Sequence, residues 1–218
     1  EGGKIRRLPK RNFTAESIAS EKPVFIMETQ TDRRLRFFTS HGNCLIIGVD
    51  ELPEARLTAK ATNLNSLVQL EKDEEIVACF DEVKDDTLVF FTALGNAKRT
   101  EGKEFDLRTK KTAAIALKDD DRVIAVEKQD ETAGTVIMVS KGGMSIRFAT
   151  DTVPVMGKGA GGVKCMKLDE GDRVIFAAQI ADEGEILTIS DRGYAKRSLV
   201  FDYEIQGRNG KGLKTFDF

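Results

Sequence analysis

The chain has 218 residues, of which 40% are hydrophobic and 32% are charged, and its formal net charge is −2 at pH 7. Such a chain is long enough for one or two domains with a sizeable core, and its composition excludes intrinsic disorder. It contains no apolar run near the ~18 residues that a membrane-spanning helix requires, so we expect no such helix.

A short pattern recurs along the chain: a β-rich run, a glycine turn and, in most copies, a basic pair. The glycines at the shared position are Gly3, Gly42, Gly95, Gly143 and Gly193. From the second copy onward they lie 53, 48 and 50 residues apart. An apolar run opens 18 to 20 residues before four of them with a valine: Val24, Val77, Val123 or Val174. A fixed period of this length predicts a solenoid or a radially closed repeat fold.

The predicted elements are short strands, because β-branched and aromatic residues occur in runs separated by Gly, Asp and Asn turns. From the second apolar run onward, these runs cover residues 76–80, 87–92, 97–100, 123–126, 135–140, 144–148, 174–178, 185–190 and 194–197. Each unit then holds three or four antiparallel strands. A sheet this small cannot bury both faces alone, so neighbouring units must stack. Radial closure predicts an all-β, propeller-like fold of about five four-stranded blades.

A single domain is expected to cover residues 1–218. Its repeats are a partial unit over 1–20 and fuller units over 21–73, 74–119, 120–170 and 171–218. The first residue is not methionine and falls inside a repeat, which predicts a fragment of a longer protein. The three cysteines, Cys44, Cys79 and Cys165, are isolated from one another, which indicates reduced thiols in a cytoplasmic protein.

Charged residues recur at fixed phases of the repeat. Acidic runs precede the valine strands, at residues 71–75, 119–121 and 169–172. Basic residues follow the glycine and recur in the second half of the unit, here called the link. Equivalent phases take equivalent places on every blade, so these bases should form a positive belt despite the negative total. Its members on the blades are Arg6, Arg7, Lys98, Arg99, Arg147, Lys196 and Arg197, and in the links Lys158, Arg208 and Lys211.

A belt of Lys and Arg suits the phosphate backbone of DNA, which it neutralises without reading bases. Leu45 and Ile46 replace the basic pair in one unit and leave a gap. Two alternatives stay open: the bases are solvated strand ends, or the chain is a protein-interaction propeller without a DNA role, which an exposed apolar patch would favour. Catalysis is not expected, because the single histidine, His41, lies in a predicted turn, and no Cys/His spacing is typical of a metal site.

The most specific motif of the chain lies in the last link. Five of its seven residues match the gyrase-A box Q-R-R-G-G-K-G, with glycine replacing the first arginine and asparagine the first glycine. The residues are Gln206, Gly207, Arg208, Asn209, Gly210, Lys211 and Gly212. Residues 156–163 carry a looser version. Through this box and the repeat, the whole chain resembles the C-terminal β-pinwheel domain of bacterial type IIA topoisomerase A subunits, from DNA gyrase or topoisomerase IV.

The resemblance implies a β-pinwheel that binds and bends double-stranded DNA without sequence specificity and guides it for ATP-dependent strand passage. A degenerate box favours topoisomerase IV over gyrase. Implied partners are DNA and, in an A2B2 holoenzyme at the bacterial nucleoid, the ATPase B subunit as well as the rest of the A subunit. ATP and Mg²⁺ would bind elsewhere, so no cofactor is expected in this domain. The family's nucleophilic tyrosine follows an arginine, whereas Tyr194 follows a glycine and Tyr203 an aspartate, so we expect no DNA cleavage by this fragment.

Overall fold

The computed structural model describes residues 3–12, 23, 25–56, 59–118 and 120–215. Their regular structure consists of β-strands and short 3-10 helices, which confirms the all-β prediction. None of them belongs to a helix with the length and hydropathy needed to cross a bilayer. Val24, predicted to open a strand, lies outside the described residues, as do residues 13–22, which cover the end of the partial first unit and the start of the next. Residues 25–30 are not in a strand.

The strands are numbered in chain order: β1 Lys4–Ile5, β2 Arg34–Thr39, β3 Asn43–Gly48, β4 Thr62–Asn63, β5 Ile76–Phe80, β6 Thr87–Thr92, β7 Asn96–Glu101, β8 Lys111–Ala113, β9 Val123–Lys128, β10 Thr135–Ser140, β11 Met144–Ala149, β12 Val163–Lys164, β13 Val174–Ile180, β14 Glu185–Ile189, β15 Ala195–Leu199 and β16 Leu213–Lys214. The 3-10 helices are Lys10–Asn12, Val49–Glu51, Leu64–Ser66, Gly102–Phe105, Thr150–Thr152 and Val200–Asp202.

Each four-stranded sheet combines strands from two consecutive units. The orders are β5-β2-β3-β8, β9-β6-β7-β12 and β13-β10-β11-β16, with antiparallel neighbours throughout. The central hairpin of each sheet belongs to one unit, and both outer strands belong to the next. The expectation that a unit holds up to four strands is confirmed for 74–119, which contains β5 to β8, but these strands are divided between two sheets. Two-stranded sheets, β1-β4 and β14-β15, complete the described fold.

A glycine forms the turn of each hairpin because its backbone enters the left-handed region. Gly95, between β6 and β7, has φ of +79°, and its N–H donates to the carbonyl of Thr92 at 3.0 Å. A Cβ atom at this glycine would lie 2.7 Å from the carbonyl oxygen of Met166, in the link of the following unit. The turn therefore needs glycine both for its dihedral angle and for the close approach of the next unit.

The acidic runs contact these turns. A carboxylate oxygen of Asp121 accepts from the backbone N–H of Leu94 at 2.8 Å. In the next unit Asp172 accepts from the backbone N–H of Gly142 at 3.0 Å. Both carboxylates come from the segment that precedes a valine strand, so they join each unit to the hairpin of the unit before it.

Apolar cores lie between adjacent sheets, so the inner strands are covered on both faces. Phe90 on β6 packs toward the first sheet, with its ring centroid 5.5 Å from that of Phe38 on β2. Its neighbours on the strand, Val89 and Phe91, point the other way and belong to the core between the second and third sheets, with Val136 of the third sheet. Successive side chains on a strand point to opposite faces, so one strand supplies both cores.

The last hairpin, β14-β15, exposes apolar residues whose counterparts are buried. Leu187, six residues before its shared glycine, is 62% exposed, whereas Ile137 and Val89 at the same phase are 0% exposed. In the earlier sheets the outer strands and neighbouring sheet cover this position, and the described residues contain no such strands beside β14 and β15. The exposure therefore follows from the local strand count and is not by itself a sign of a protein-binding face.

Buried arginines also join consecutive units. Arg147 on β11 is 5% exposed, and its guanidinium donates to the Thr135 hydroxyl at 2.9 Å and to the Tyr203 carbonyl at 3.3 Å. It also donates to the carboxylate of Asp182 at 2.5 Å. Tyr203 and Asp182 belong to the following unit. Tyr203 comes just after the 3-10 helix Val200–Asp202, and Asp182 follows β13. A single side chain thus connects the hairpin of one unit to two segments of the next.

The second sheet repeats this contact. Arg99 on β7 donates to the carbonyl of Val153 at 2.6 Å and to the side chain of Gln129 at 3.2 Å, again after a 3-10 helix and after a valine strand. In the first sheet Ile46 occupies the equivalent phase, and the arginine comes from the adjacent strand. Arg36, which pairs with Ile46 across the hairpin, donates to the carbonyl of Phe105 at 3.1 Å.

We predict that Arg147→Met lowers the free energy of unfolding by about 2–3 kcal/mol, because buried acceptors lose charge-assisted hydrogen bonds. Arg197→Met is the matched control, since Arg197 holds the same phase on β15 and its side chain is 72% exposed. Urea denaturation should show a change of less than about 0.5 kcal/mol for the control. Equal losses in the two variants would contradict the structural role of Arg147.

Candidate nucleic-acid interface

Three of the seven cations predicted on the blades turn into the fold. Lys98 on β7 is 0% exposed, and its Nζ donates to the carbonyl oxygens of Gly157 and Lys158, at 3.0 Å each. Arg99 and Arg147 make the contacts between units described above. The prediction that these side chains form an exposed belt is wrong for Lys98 and Arg147, which are buried. Arg99 is half-buried, and one of its guanidinium nitrogens donates to the carbonyl of Asp151 at an exposed position.

The other four predicted blade cations lie near the two ends of the described chain. Lys196 and Arg197 are exposed on β15, where Arg197 lies 3.3 Å from a carboxylate oxygen of Glu185. Arg6 and Arg7, beside β1, are half-buried. The exposed members of the predicted blade set, Lys196 and Arg197, therefore both lie on the last hairpin, and the predicted cations of the described blades do not form a continuous belt.

The box folds into a turn that its sequence favours. Asn209 has φ of 65°, a left-handed conformation that asparagine tolerates better than most residues, at a position where the family motif has glycine. Gly212 has φ of +80°, and a Cβ there would lie 2.1 Å from the carbonyl oxygen of Ser145. The substitution of glycine by asparagine thus preserves the backbone shape, whereas the final glycine has no substitute.

This turn lies along the link of the preceding unit. The backbone N–H of Asn209 donates to the Cys165 carbonyl at 2.7 Å, and the Gly210 carbonyl accepts from Lys167 N–H at 2.9 Å. The guanidinium of Arg208 donates to the carbonyl of Lys164 at 3.2 Å. Two consecutive links are therefore brought side by side. We call their cations Lys164, Lys167, Arg208 and Lys211 the link strip.

Sequence reasoning identified two members of the link strip and missed the other two. Lys164 and Lys167 are exposed, at the end of β12 and just beyond it. The repeat did indicate Lys164, because Lys164 and Lys214 lie 50 residues apart and each is the second residue of a link strand. Nothing in the local sequence indicated that the next link would lie against them.

An acid partly neutralises the link strip. Nζ of Lys211 lies 2.6 Å from a carboxylate oxygen of Asp169, and both side chains are largely exposed. The hydrogen bond from Lys211 lowers the pKa of the Asp169 carboxyl, so the carboxylate is charged at neutral pH. Such an exposed pair is weak and can exchange partners. A phosphate could therefore replace Asp169 as the partner of Lys211.

The other predicted link cation is held differently. Lys158 is half-buried, and its backbone N–H donates to a carboxylate oxygen of Glu104 at 2.7 Å. Residues 157–160 form a turn in which Ala160 N–H donates to the Gly157 carbonyl at 3.0 Å. The glycine-rich link is thus fixed through its backbone, with Lys158 at its tip.

One cluster in the described residues resembles a metal-ligand set. Ligand atoms of His41, Glu71 and Glu74 lie within 4.8 Å of one another. The ammonium of Lys111 lies 3.0 Å from a carboxylate oxygen of Glu71, and Glu74 accepts from the side-chain amide of Asn43 at 2.7 Å. These protein donors already serve the carboxylates, so the cluster is explained as an ion-pair network beside a hairpin turn.

The two tyrosines occupy different environments. Tyr203 is buried, and its hydroxyl lies 2.5 Å from the hydroxyl of Thr215. Tyr194 is 69% exposed in the last hairpin turn. Neither contact pattern contains a base or a cation beside the phenol oxygen among the contacts of the described residues.

A family model described as the DNA gyrase C-terminal domain, beta-propeller, matches residues 37–80, 86–130, 134–181 and 184–218. Each matched segment except the last begins within or just before the hairpin of one unit and extends through the valine strand of the next. The match therefore follows the observed pairing of each hairpin with the strand after it.

Curated relatives include the DNA gyrase A subunit of Haloquadratum walsbyi, 34% identical over 189 residues. They also include the DNA topoisomerase 4 A subunit of Streptococcus pneumoniae, 32% identical over 232 residues. The alignments cover 82% and 99% of this chain but only 22% and 28% of the relatives. A crystal structure of the C-terminal domain of DNA topoisomerase IV is similar at a TM-score of 0.84 and 26% identity, over 98% of this chain and 70% of that one.

We predict that Gly212→Ala lowers the free energy of unfolding by about 2 kcal/mol or more, because alanine is strained at positive φ and its Cβ would meet a carbonyl oxygen. Gly207→Ala, in the same box, is the control: no heavy atom lies within 4 Å of the added Cβ. Thermal and urea denaturation of both variants would test this difference. A control as unstable as Gly212→Ala would contradict the assigned geometry of the box.

Proposed function

The chain belongs to the DNA gyrase C-terminal domain family of β-pinwheel folds, and from this membership we propose that it binds double-stranded DNA and bends it without reading sequence. The observation that carries the proposal is the link strip, where two consecutive links bring exposed Lys164, Lys167 and Lys211 together with half-buried Arg208. Its side chains are long, flexible and positively charged, as contacts to phosphates require.

Phosphate contacts account for the expected behaviour. Each neutralised phosphate releases counterions, so affinity should fall steeply as salt rises. Smooth bending of 20–30 bp by 40–90° costs on the order of 1–6 kcal/mol, and several contacts together must offset that cost. The four cations of the link strip supply such contacts at one place, and we propose Lys196 and Lys158 as further contacts.

The parent protein is a type IIA topoisomerase, and we propose topoisomerase IV over gyrase. Gly207 and Asn209 replace an arginine and a glycine of the box, which removes one cation from the turn but keeps its shape. In this proposal the domain guides DNA to the rest of the A subunit in an A2B2 holoenzyme at the bacterial nucleoid in the cytoplasm, and ATP and Mg²⁺ act on the other parts.

Strand cleavage is assigned to another domain of the parent protein. Support comes from the tyrosines, since Tyr203 is buried against Thr215 and Tyr194 lies in an exposed turn. A nucleophilic tyrosine needs groups that activate its oxygen and stabilise the transition state, and neither phenol has them among its described contacts.

We predict that Arg208→Ala combined with Lys211→Ala weakens binding to a duplex several helical turns long by roughly tenfold or more. The dependence of log affinity on log salt should become shallower by about 2, close to one for each phosphate contact removed. Fluorescence anisotropy across a salt series measures both quantities. The melting temperature should fall only slightly, because Lys211 is exposed and half-buried Arg208 contributes a hydrogen bond to the carbonyl of Lys164.

Lys60→Ala combined with Lys84→Ala is the control, since both lysines are exposed and lie outside the strands and the link strip. This pair should leave the affinity and the salt slope nearly unchanged. If the unaltered domain did not bind the duplex even at low salt, the proposed function would be wrong. Equal affinity of the link-strip variant and the unaltered domain would overturn the assignment of the site.

Asp169→Asn should strengthen DNA binding, because it frees Lys211 from the carboxylate 2.6 Å away. We expect an increase of about two- to fivefold at low salt, which is typical of an exposed charge pair. Asp151→Asn is the control, since this exposed acid lies on a 3-10 helix outside the link strip. A weaker or unchanged affinity for Asp169→Asn would show that Lys211 does not contact phosphate.

A further inference from the structure

A buried lysine without a close carboxylate is the least expected side chain of the fold. Lys98 has no exposed surface, and its ammonium lies 5.3 Å from the centroid of the Phe90 ring. The hydrogen bonds to it come from two backbone carbonyls, those of Gly157 and Lys158. Removing an ammonium from water costs several kcal/mol unless good partners replace the water. The charged form of Lys98 therefore carries a desolvation cost that its partners in the fold must offset.

The repeat shows that the fold itself does not need a cation there. The residue three positions after the shared glycine is Lys98 in the second sheet, but Leu45 in the first and Ile146 in the third, and both are buried. Ile146 lies against the last link, where a Cβ on Gly210 would be 3.4 Å from its side chain. An apolar residue thus suffices to pack a blade against a link.

What distinguishes the second sheet is the link that it holds. Residues 156–162 contain Gly157, Gly159, Gly161 and Gly162, so the backbone is unusually free. Lys98 binds this link from inside the blade through two carbonyls, and Glu104 binds it through the N–H of Lys158. The ammonium and the carboxylate hold adjacent peptide groups at the tip of the link.

We infer that Lys98 is a positioning residue of the DNA-binding surface: its ammonium fixes the glycine-rich link so that Lys158 is presented to a phosphate. The inference rests on the proposed function and adds to it a side chain that never touches DNA. Lys98 contributes through the entropy of the link, because an ordered loop does not have to be ordered again when DNA binds.

Proton loss should release this contact. Burial lowers the pKa of Lys98 to about 8, and the carboxylate of Glu104 partly opposes that effect. Of the groups packed against the ammonium, Phe90 and the two carbonyl oxygens do not titrate, so Glu104 is the facing charge. A neutral amine donates weaker hydrogen bonds than an ammonium. The link should therefore loosen as pH rises from 7 to 9.

Global stability should respond in the opposite direction. A lysine whose pKa is lower in the folded state binds fewer protons than it does when unfolded, so the free energy of unfolding rises with pH between about 8 and 10. The link should therefore loosen while the free energy of unfolding does not fall. General alkaline unfolding would instead lower that free energy. The two readouts separate the positioning role from a merely structural one.

The experiment compares the 218-residue chain with its Lys98→Met variant by hydrogen exchange and by DNA affinity. At pH 7 the variant should exchange amides of residues 156–162 roughly tenfold faster, as the loss of charge-assisted hydrogen bonds predicts. It should bind the same duplex about three- to tenfold more weakly. Leu45→Met, at the same phase of the first sheet, is the control and should leave both the exchange of this link and the DNA affinity unchanged.

The pH series on the unaltered chain tests the inference even if Lys98→Met folds poorly. Exchange in residues 156–162 should accelerate between pH 7 and 9 beyond the intrinsic effect of pH, and exchange in residues 206–212 should not. Unchanged protection across this range, or a Lys98→Met variant with normal protection and affinity, overturns the inference. Absence of DNA binding by the unaltered chain would overturn the proposed function instead, and hydrogen exchange would still show whether Lys98 holds the link.

Discussion

The sharing of every four-stranded sheet between two consecutive units is the constraint on which the other features depend. A central hairpin such as β6-β7 receives one outer strand from the start of the next unit and the other from its link. Because the link ends in a paired strand, its position is fixed by the hairpin that it joins. The glycine turns, the acids beside them and the buried arginines all act at this junction between units.

This arrangement divides the cations of the repeat into two classes. Lys98, Arg99 and Arg147 lie on the inner strands, and each donates to a carbonyl oxygen of the following unit. Lys164 and Lys211 lie where links run across the ends of the strands, and they keep access to solvent. The first class holds the units together, and the second is the one that the proposed function assigns to DNA phosphates.

The sequence predicted the strands, the glycine turns and the box, because each depends on local chemistry and recurs at a fixed phase. It did not predict the exchange of outer strands, since the same runs of residues suit a sheet within one unit or a sheet shared by two. The burial of Arg147 also escaped prediction. It depends on acceptors far along the chain, the Tyr203 carbonyl and the Asp182 carboxylate, which only the packed units bring to β11. Lys167 was missed because its place depends on a contact between two links.

A protein built this way resists separation into its parts. If the backbone were cut in the turn between β5 and β6, β5 would remain in register with β2 through its ladder of hydrogen bonds, and β8 would still pair with β3. The two pieces would be held by a sheet and by an apolar core, in the manner of a protein reassembled from fragments. Continuity of the chain is therefore less important to the fold than continuity of the sheets, and any gain or loss of a whole repeat leaves the pairing rule between neighbours intact.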